Sequence, residues 1–205
     1  MTPAVLKHLA KCDPVMRRLI RKHGPCGLEP ETRRSPFQSL AQAIAHQQLN
    51  GTAANTILKR FIKLFPGRRF PRAEDLASVK DDAIRGAGFS RAKVAALRDL
   101  AAKTLDGTVP SSRVITKLAD AEIIARLIEV RGVGQWTVEM LLIFQLGRPD
   151  VLPIHDFGVR SGFRHAYGLG DLPKPKDLLA HGECWRPYRT TAAWYLWRAA
   201  DGAKK

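Results

Sequence analysis

Apolar residues recur at intervals of three and four along almost the whole chain, and no stretch sustains apolar–polar alternation, so the pattern predicts an all-α protein. The punctuation agrees. Asp13-Pro14 opens a helix that Gly24 closes, and Ser35-Pro36 followed by Gln38 has the form of a capping box with proline in the first turn, leading into Phe37, Leu40, Ala41 and Ile44. Ile57, Leu58, Phe61 and Phe65 mark the next apolar face, stopped by Pro66-Gly67. Ser90 is placed to cap a helix displaying Val94, Leu97, Leu100 and Ala101, which ends near Asp106-Gly107. Asp120 starts a helix carrying Ile123, Ile124, Leu127 and Ile128, and Gly132 and Gly134 then bracket a turn too tight for side chains before a second apolar helix from Trp136 to Leu146. Beyond an extended segment ending at Leu152-Pro153, Asp156 stands at the N-cap of a helix from Phe157 to Tyr167. A last helix, Tyr188 to Ala200, carries Trp194 and Trp197, and residues 203–205 after it are expected to fray.

A chain of 205 residues can bury a proper core, as one domain or two small lobes, and it contains no internal repeat, low-complexity tract or long linker. Charge narrows the partners. Lys plus Arg number 34 against 19 Asp plus Glu, a formal net charge of +15 with a pI near 10.3. The basic residues are spread from Arg17 to Lys205 through segments that also carry apolar periodicity, so they belong to a folded surface suited to a polyanion, nucleic acid foremost. Cys12, Cys26 and Cys184 are odd in number, far apart and without C-x-x-C spacing, which suggests neither a disulfide framework nor a zinc site and fits a reducing compartment. The longest apolar run, Met140 to Phe144, is far shorter than a membrane span, so no membrane partner is expected.

Two features of the stretch from Leu127 to Phe163 carry candidate chemistry. The glycine turn between two helices can aim backbone N–H groups at a phosphate, and the lone acidic cap can supply a carboxylate whose ionised form a helix N-terminus favours. An isolated Asp before a helix is ordinarily only an N-cap; here capping and catalysis are compatible.

Four pieces, in this order, carry a resemblance: PFQSLAQAIAHQQLNGTAANTI at 36–57, GAGFSRAKVAALRDLA at 86–101, the glycine hairpin with its downstream aspartate, and RPYRTTAAWYLW at 186–197. Together they span most of the chain, and with them it resembles the helix-hairpin-helix (HhH-GPD) DNA glycosylase superfamily in its 3-methyladenine, or alkylated-base, DNA glycosylase II branch. The resemblance implies a two-lobed helical bundle in which residues 37–154 carry the hairpin, 1–36 with 155–205 form the second lobe, and the active cleft lies between them. Some relatives carry an N-terminal β-domain before this core, and the segment before Pro36 is too short to hold one, which puts substrate preference in question.

The activity so implied is base excision repair of double-stranded DNA: an alkylated purine such as 3-methyladenine or 7-methylguanine is flipped out of the duplex and its N-glycosidic bond is hydrolysed. Asp156 falls at the catalytic position, where a fixed carboxylate offsets positive charge growing on the sugar and can orient or activate water. His155 departs from the pattern, since many relatives carry a second acid there, and it is given no catalytic role. By the same resemblance Trp136 and Trp197 line the base pocket, with Met140 and Phe157 beside them, because a cationic base suits electron-rich rings. Aromatics at helical spacing are core residues more often than ligand contacts. Leu49 is placed as the wedge that fills the vacated stack, with Asn50 in the minor groove; the bland alternative is that Leu49 ends the buried face of its helix. Gly132, Gly134 and Thr137 would grip phosphates, with Ser90 and Arg91 touching the backbone elsewhere.

Strand-cleaving relatives place a lysine where Trp136 stands; Gln135-Trp136 offers no amine, so no lyase activity is expected. No four-cysteine array is present for an iron–sulfur cluster, and no cofactor is required, although in the family the hairpin carbonyls commonly hold K+ or Na+, which carries over to Val130 and Val133. A monomer is expected, in the cytoplasm of a bacterium or the nucleus of a eukaryote. Two rivals stay open: a nonenzymatic hairpin protein that only binds DNA structure, and a glycosylase for uncharged lesions.

Overall fold

A computed structural model describes residues 2–202, all helical elements and connecting turns with no strand among the described residues; the fraying expected at 203–205 lies outside them. Helices follow in the order α1 (Pro3–Cys12), α2 (Pro14–His23), α3 (Pro36–His46), α4 (Gly51–Lys63), α5 (Ala73–Leu76), α6 (Asp81–Gly86), α7 (Arg91–Leu105), α8 (Ser112–Ile115), α9 (Asp120–Leu127), α10 (Gln135–Phe144), α11 (Phe157–Tyr167), α12 (Pro175–His181) and α13 (Arg189–Gly202), with a 3-10 turn at Gly182–Trp185. No helix among the described residues is long and apolar enough to cross a membrane.

The chain divides into two compact units, residues 31–141 and residues 1–30 with 142–205. The family resemblance places these limits at 36/37 and 154/155. The later limit falls instead within α10, whose last residues pack with α13: the Phe144 ring stacks on Trp197.

Unit 31–141 is built on α7, which packs against α3, α5 and α6. Its capping serine works as the sequence predicts, Ser90 Oγ accepting from Lys93 N–H at 3.3 Å, and Val94, Leu97, Leu100 and Ala101 are buried. Leu40, Ile44, Phe61, Leu76, Ile84 and Ile115 complete that core, each worth about 1.5–3 kcal/mol of transfer free energy. Phe61 meets Phe65 and Phe70 edge to face. Arg98 of α7 pairs with Asp81 and donates to the carbonyls of Leu76 and Val79, closing the α5–α6 corner. Ser35 Oγ accepts from Gln38 N–H at 3.1 Å, starting α3.

In the other unit α13 is central, packed on α11 and α2. The α11–α13 crossing is a backbone-to-backbone contact: a Cβ at Gly162 would lie 1.8 Å from Leu196 O, so only glycine fits. Asp13 knits the unit's ends together. Its Oδ1 caps α2 through Val15 and Met16 N–H, while its Oδ2 accepts from the Tyr167 hydroxyl, from Trp185 Nε1 at 2.8 Å and lies 3.1 Å from His181 Nε2. Burial alone would raise this carboxyl's pKa, but hydrogen bonds from His181, Tyr167, Trp185 and Met16 N–H outweigh it and hold the group well below the usual carboxylate range. The fold thus brings Asp13, His181 and Cys184 within 4.8 Å of one another, a grouping that cysteine spacing did not suggest. Both oxygens of Asp13 are already engaged by hydrogen-bond donors, which makes the cluster a polar clasp.

Candidate functional site

Asp156 caps α11, accepting Val159 N–H at 2.7 Å on Oδ1. The same oxygen accepts from Trp197 Nε1 at 2.8 Å, a charge-assisted bond that sets the orientation of the carboxylate as a cap alone would not. Glycine makes this approach possible. A Cβ at Gly158 would stand 2.8 Å from Trp197 Cδ1 and 3.1 Å from Asp156 Oδ1, pushing the indole off the carboxylate. The α13 start is fixed in turn: Arg189 forks onto Asp150 with Nε at 2.8 Å and Nη2 at 3.1 Å, and Thr190 Oγ1 donates to Arg148 O while accepting Val151 N–H. That staple anchors the segment leading into Asp156. His155 beside it is exposed.

Two exposed rings belong to the same unit as the carboxylate. Phe144 stacks on Trp197 with centroids 5.6 Å apart and planes at 27°, yet remains 42% exposed, and Phe157 next to Asp156 is 69% exposed. These two rings are not core residues. Phe144 was missed because its place in the continuous apolar run of α10 looks like a buried position, and only its exposed end distinguishes it. Trp136, 49% exposed, and the half-buried Met140 lie on the part of α10 that belongs to unit 31–141, whereas Asp156, Phe157 and Trp197 belong to the other unit.

The hairpin between α9 and α10 is a tight turn closed by Val133 N–H on Val130 O at 3.0 Å, with Gly132 at φ +77°. Three side chains hold it. Asp99 Oδ2 accepts Arg131 N–H at 2.7 Å, Lys103 donates to Glu129 O, and Gln47 Nε2 donates to Gly132 O at 2.7 Å. Burial opposes the Asp99 charge, but the Arg131 N–H and Lys103 outweigh it and lower its pKa. Among the described residues, the N–H groups of the exposed Gly132 and Gly134 have no protein acceptor, the condition for an anion site. Thr137 differs from expectation: it is buried, and its N–H closes on Gly134 O at 3.0 Å, so that N–H does not grip a phosphate. Ser90 is exposed and its oxygen serves as a cap, leaving its hydroxyl proton to donate outward.

Leu49 sits 41% exposed in the turn between α3 and α4. Gln48 before it takes φ +57°, the single positive φ outside glycine among the described residues, and this left-handed residue turns the chain so that Leu49 ends no buried helix face. Asn50 Oδ1 caps α4 through Ala53 N–H at 2.9 Å. Sequence reasoning passed over Gln47 and Lys93, whose roles depend on partners distant in the chain.

The model of the HhH-GPD superfamily of base excision DNA repair proteins matches residues 41–187. The chain is 37% identical over 196 residues to DNA-3-methyladenine glycosylase 1 of Schizosaccharomyces pombe, covering 94% of this chain and 85% of that protein. Among solved structures it is similar to the S. pombe 3-methyladenine DNA glycosylase (Mag1) in complex with abasic DNA, with a TM-score of 0.84, 36% identity and 95% of each chain covered. It is similar also to a DNA-3-methyladenine glycosidase from Bacillus halodurans, with a TM-score of 0.88, 34% identity, and 100% and 92% of the two chains covered.

Proposed function

The chain belongs to the HhH-GPD superfamily of base excision DNA repair proteins, and we propose that it is a monofunctional DNA glycosylase that removes alkylated purines from duplex DNA by hydrolysis. The observation that carries the reading is the Asp156 carboxylate held by the Trp197 indole N–H, with the exposed Phe144 and Phe157 rings on the same unit.

The damaged base is cationic, so its departure is easy and its charge favours aromatic faces, which Phe144, Trp197 and Phe157 offer. As the N-glycosidic bond stretches, positive charge grows on the deoxyribose. Asp156 offsets it through space and orients the water whose oxygen bonds to the sugar carbon; the base leaves with the bonding pair, and the water's proton passes to the carboxylate and on to solvent. Release of a base already carrying a positive charge needs no strong general acid, consistent with a single carboxylate here. Leu49 fills the stack left by the flipped nucleotide and Asn50 lies in the minor groove, while the Gly132 and Gly134 N–H groups and the basic surface hold phosphates without regard to sequence. Gln135-Trp136 provides no amine for strand cleavage.

Val130 and Val133 carbonyls suit K+ or Na+ in chemistry: they are neutral oxygens in a short turn, and Val130 O, though it accepts Val133 N–H, keeps a second lone pair. An ion there would supply positive charge beside a phosphate. The partner is duplex DNA carrying alkylated bases, bound by a monomer.

The test is a panel of defined duplexes, each with one lesion, assayed for released base and for strand breaks without added alkali. Release of 3-methyladenine or 7-methylguanine with intact strands is expected. No release from any duplex would leave a DNA-structure binder, and preferential release of oxidised or mismatched bases would move the substrate class to uncharged lesions.

A further inference from the structure

The backbone around Leu49 is held in place by side chains from α7 and by a bond to the hairpin. Lys93 of α7 sends its ammonium to the C-terminal end of α3, donating to Ala45 O at 2.8 Å and Gln47 O at 2.7 Å. Those carbonyls are among the last of α3, which have no partner further along the helix and carry the negative end of its dipole. One residue on, Gln48 adopts its left-handed conformation, and Leu49 follows. The Gln47 side chain leaves the same point in the other direction, its amide donating to Gly132 O of the hairpin at 2.7 Å. Beyond Leu49 the chain is pinned again, by the Asn50 cap of α4. Gln48, with its left-handed backbone, and Leu49 are therefore suspended between fixed ends. A non-glycine residue in this region costs of order 1 kcal/mol and persists only where its surroundings over-determine it.

We infer that Lys93 and Gln47 are positioning residues for base flipping: Lys93 fixes the turn that displays Leu49, and the Gln47 amide ties that turn to the phosphate-gripping hairpin, so wedge and hairpin engage DNA in one register. The inference rests on the reading of Leu49 as the wedge. Its chemistry is specific to a donor at that spot. Burial lowers the Lys93 pKa, and two carbonyls at hydrogen-bond distance are the compensation that keeps an ammonium there. A surface lysine aimed at phosphate would show neither. The hairpin contact has its own logic: the Gly132 carbonyl held by Gln47 lies in the same peptide plane as Val133 N–H, which closes the turn on Val130 O, so the amide fixes the peptide between the Gly132 and Gly134 N–H groups.

The experiment is a double-mutant cycle on the whole protein, read by single-turnover base release and by the fluorescence of a base analogue placed beside a lesion. Leu49→Ala, Lys93→Met, Gln47→Ala and the doubles Lys93→Met/Leu49→Ala and Gln47→Ala/Leu49→Ala are compared, with binding of undamaged duplex and thermal melting alongside. Lys93→Met and Gln47→Ala are each expected to lower flipping amplitude and release rate about tenfold, the equivalent of ~1.4 kcal/mol, to leave KM for DNA near native, and to add nothing in the Leu49→Ala background. Lys93→Arg, which keeps a cationic donor, should restore part of the loss. If Lys93→Met does not fold, Gln47→Ala on the partly exposed turn still decides the coupling. Losses that add fully to Leu49→Ala, or unchanged flipping in both single variants, overturn the inference. Native activity of Leu49→Ala itself overturns the wedge reading instead, and the two failures are thereby distinguished.

Discussion

Asp156→Asn separates the chemical role of this carboxyl from its structural one, because asparagine can keep nearly every contact. Asn and Asp are equivalent N-caps, so an amide oxygen placed where Oδ1 now lies still accepts Val159 N–H and the Trp197 indole N–H. What disappears is the charge. The helix-dipole contribution of an N-terminal acid is about 0.3–1 kcal/mol, and the indole bond falls from charge-assisted to neutral strength, so the loss of stability should be about 1 kcal/mol. For a chain of this length that is a fall in Tm of about 2–4 °C, small against a total stability of about 5–15 kcal/mol. The transition state loses more. Removing one preorganised electrostatic partner typically costs ~2.7–4 kcal/mol, or 10²–10³ in rate, and here the partner is a full charge facing a developing cation. Affinity for duplex should hold or tighten, since a negative charge is withdrawn from a protein carrying +15. The assay is release of 3-methyladenine or 7-methylguanine from methylated duplex with enzyme in excess, beside a binding isotherm and a melting curve. A rate within about threefold of native would refute the electrostatic role; loss of binding or of the melting transition together with activity would refute the claim that the residue's main work is chemical.

Three further outcomes are expected. Trp197→Phe keeps the ring on Phe144 but deletes the indole donor, a hydrogen bond to a charged group worth about 1.5–3 kcal/mol, so single-turnover release should fall about 10- to 100-fold with DNA binding retained; equal activity in that variant would show that stacking, and not the bond to Asp156, is what matters. Gly162→Ala forces a methyl against Leu196 O across the α11–α13 crossing, and since the clash is with backbone the helices must part, at a cost of about 3 kcal/mol and a Tm lower by about 6–12 °C; a melting curve that does not move would contradict the crossing. Asp13→Asn tests acid stability. Because the folded carboxyl has a depressed pKa, its contribution is present above the unfolded value near 4 and is lost as pH falls toward the folded one. The variant should lose about 2–3 kcal/mol in urea unfolding at neutral pH and show a flatter decline of stability below pH ~4; matching pH profiles for the two proteins would count against the clasp.

How much could be read in advance depends on how local each feature is. The helices of residues 36–46, 91–105 and 157–167 were legible from period and caps, because Ser35, Ser90 and Asp156 each satisfy an N–H group three residues away. The hairpin, too, announced itself in two glycines, and the overall resemblance followed from motifs in order. Other features depended on residues distant in the chain. That Asp156 meets Trp197, 41 positions further along the chain, needs α11 to fold onto α13, and it turns on Gly158 and Gly162, glycines that local punctuation gave no reason to notice. Phe144 closes an apolar run yet is left exposed by the fold, and Thr137, expected to grip phosphate, is buried with its N–H on Gly134 O.

Composition and periodicity determined by themselves that the chain is helical, basic and built to meet a polyanion, since helix periodicity and net charge are properties of neighbouring residues and of sums. Tertiary structure alone decided which polar groups face one another: Lys93 at the end of α3, Gln47 on the hairpin, the indole on the carboxylate, and three side chains around Asp13. Hydrogen bonds are short-ranged and directional, so their partners are set by the packing of helices and not by distance along the chain.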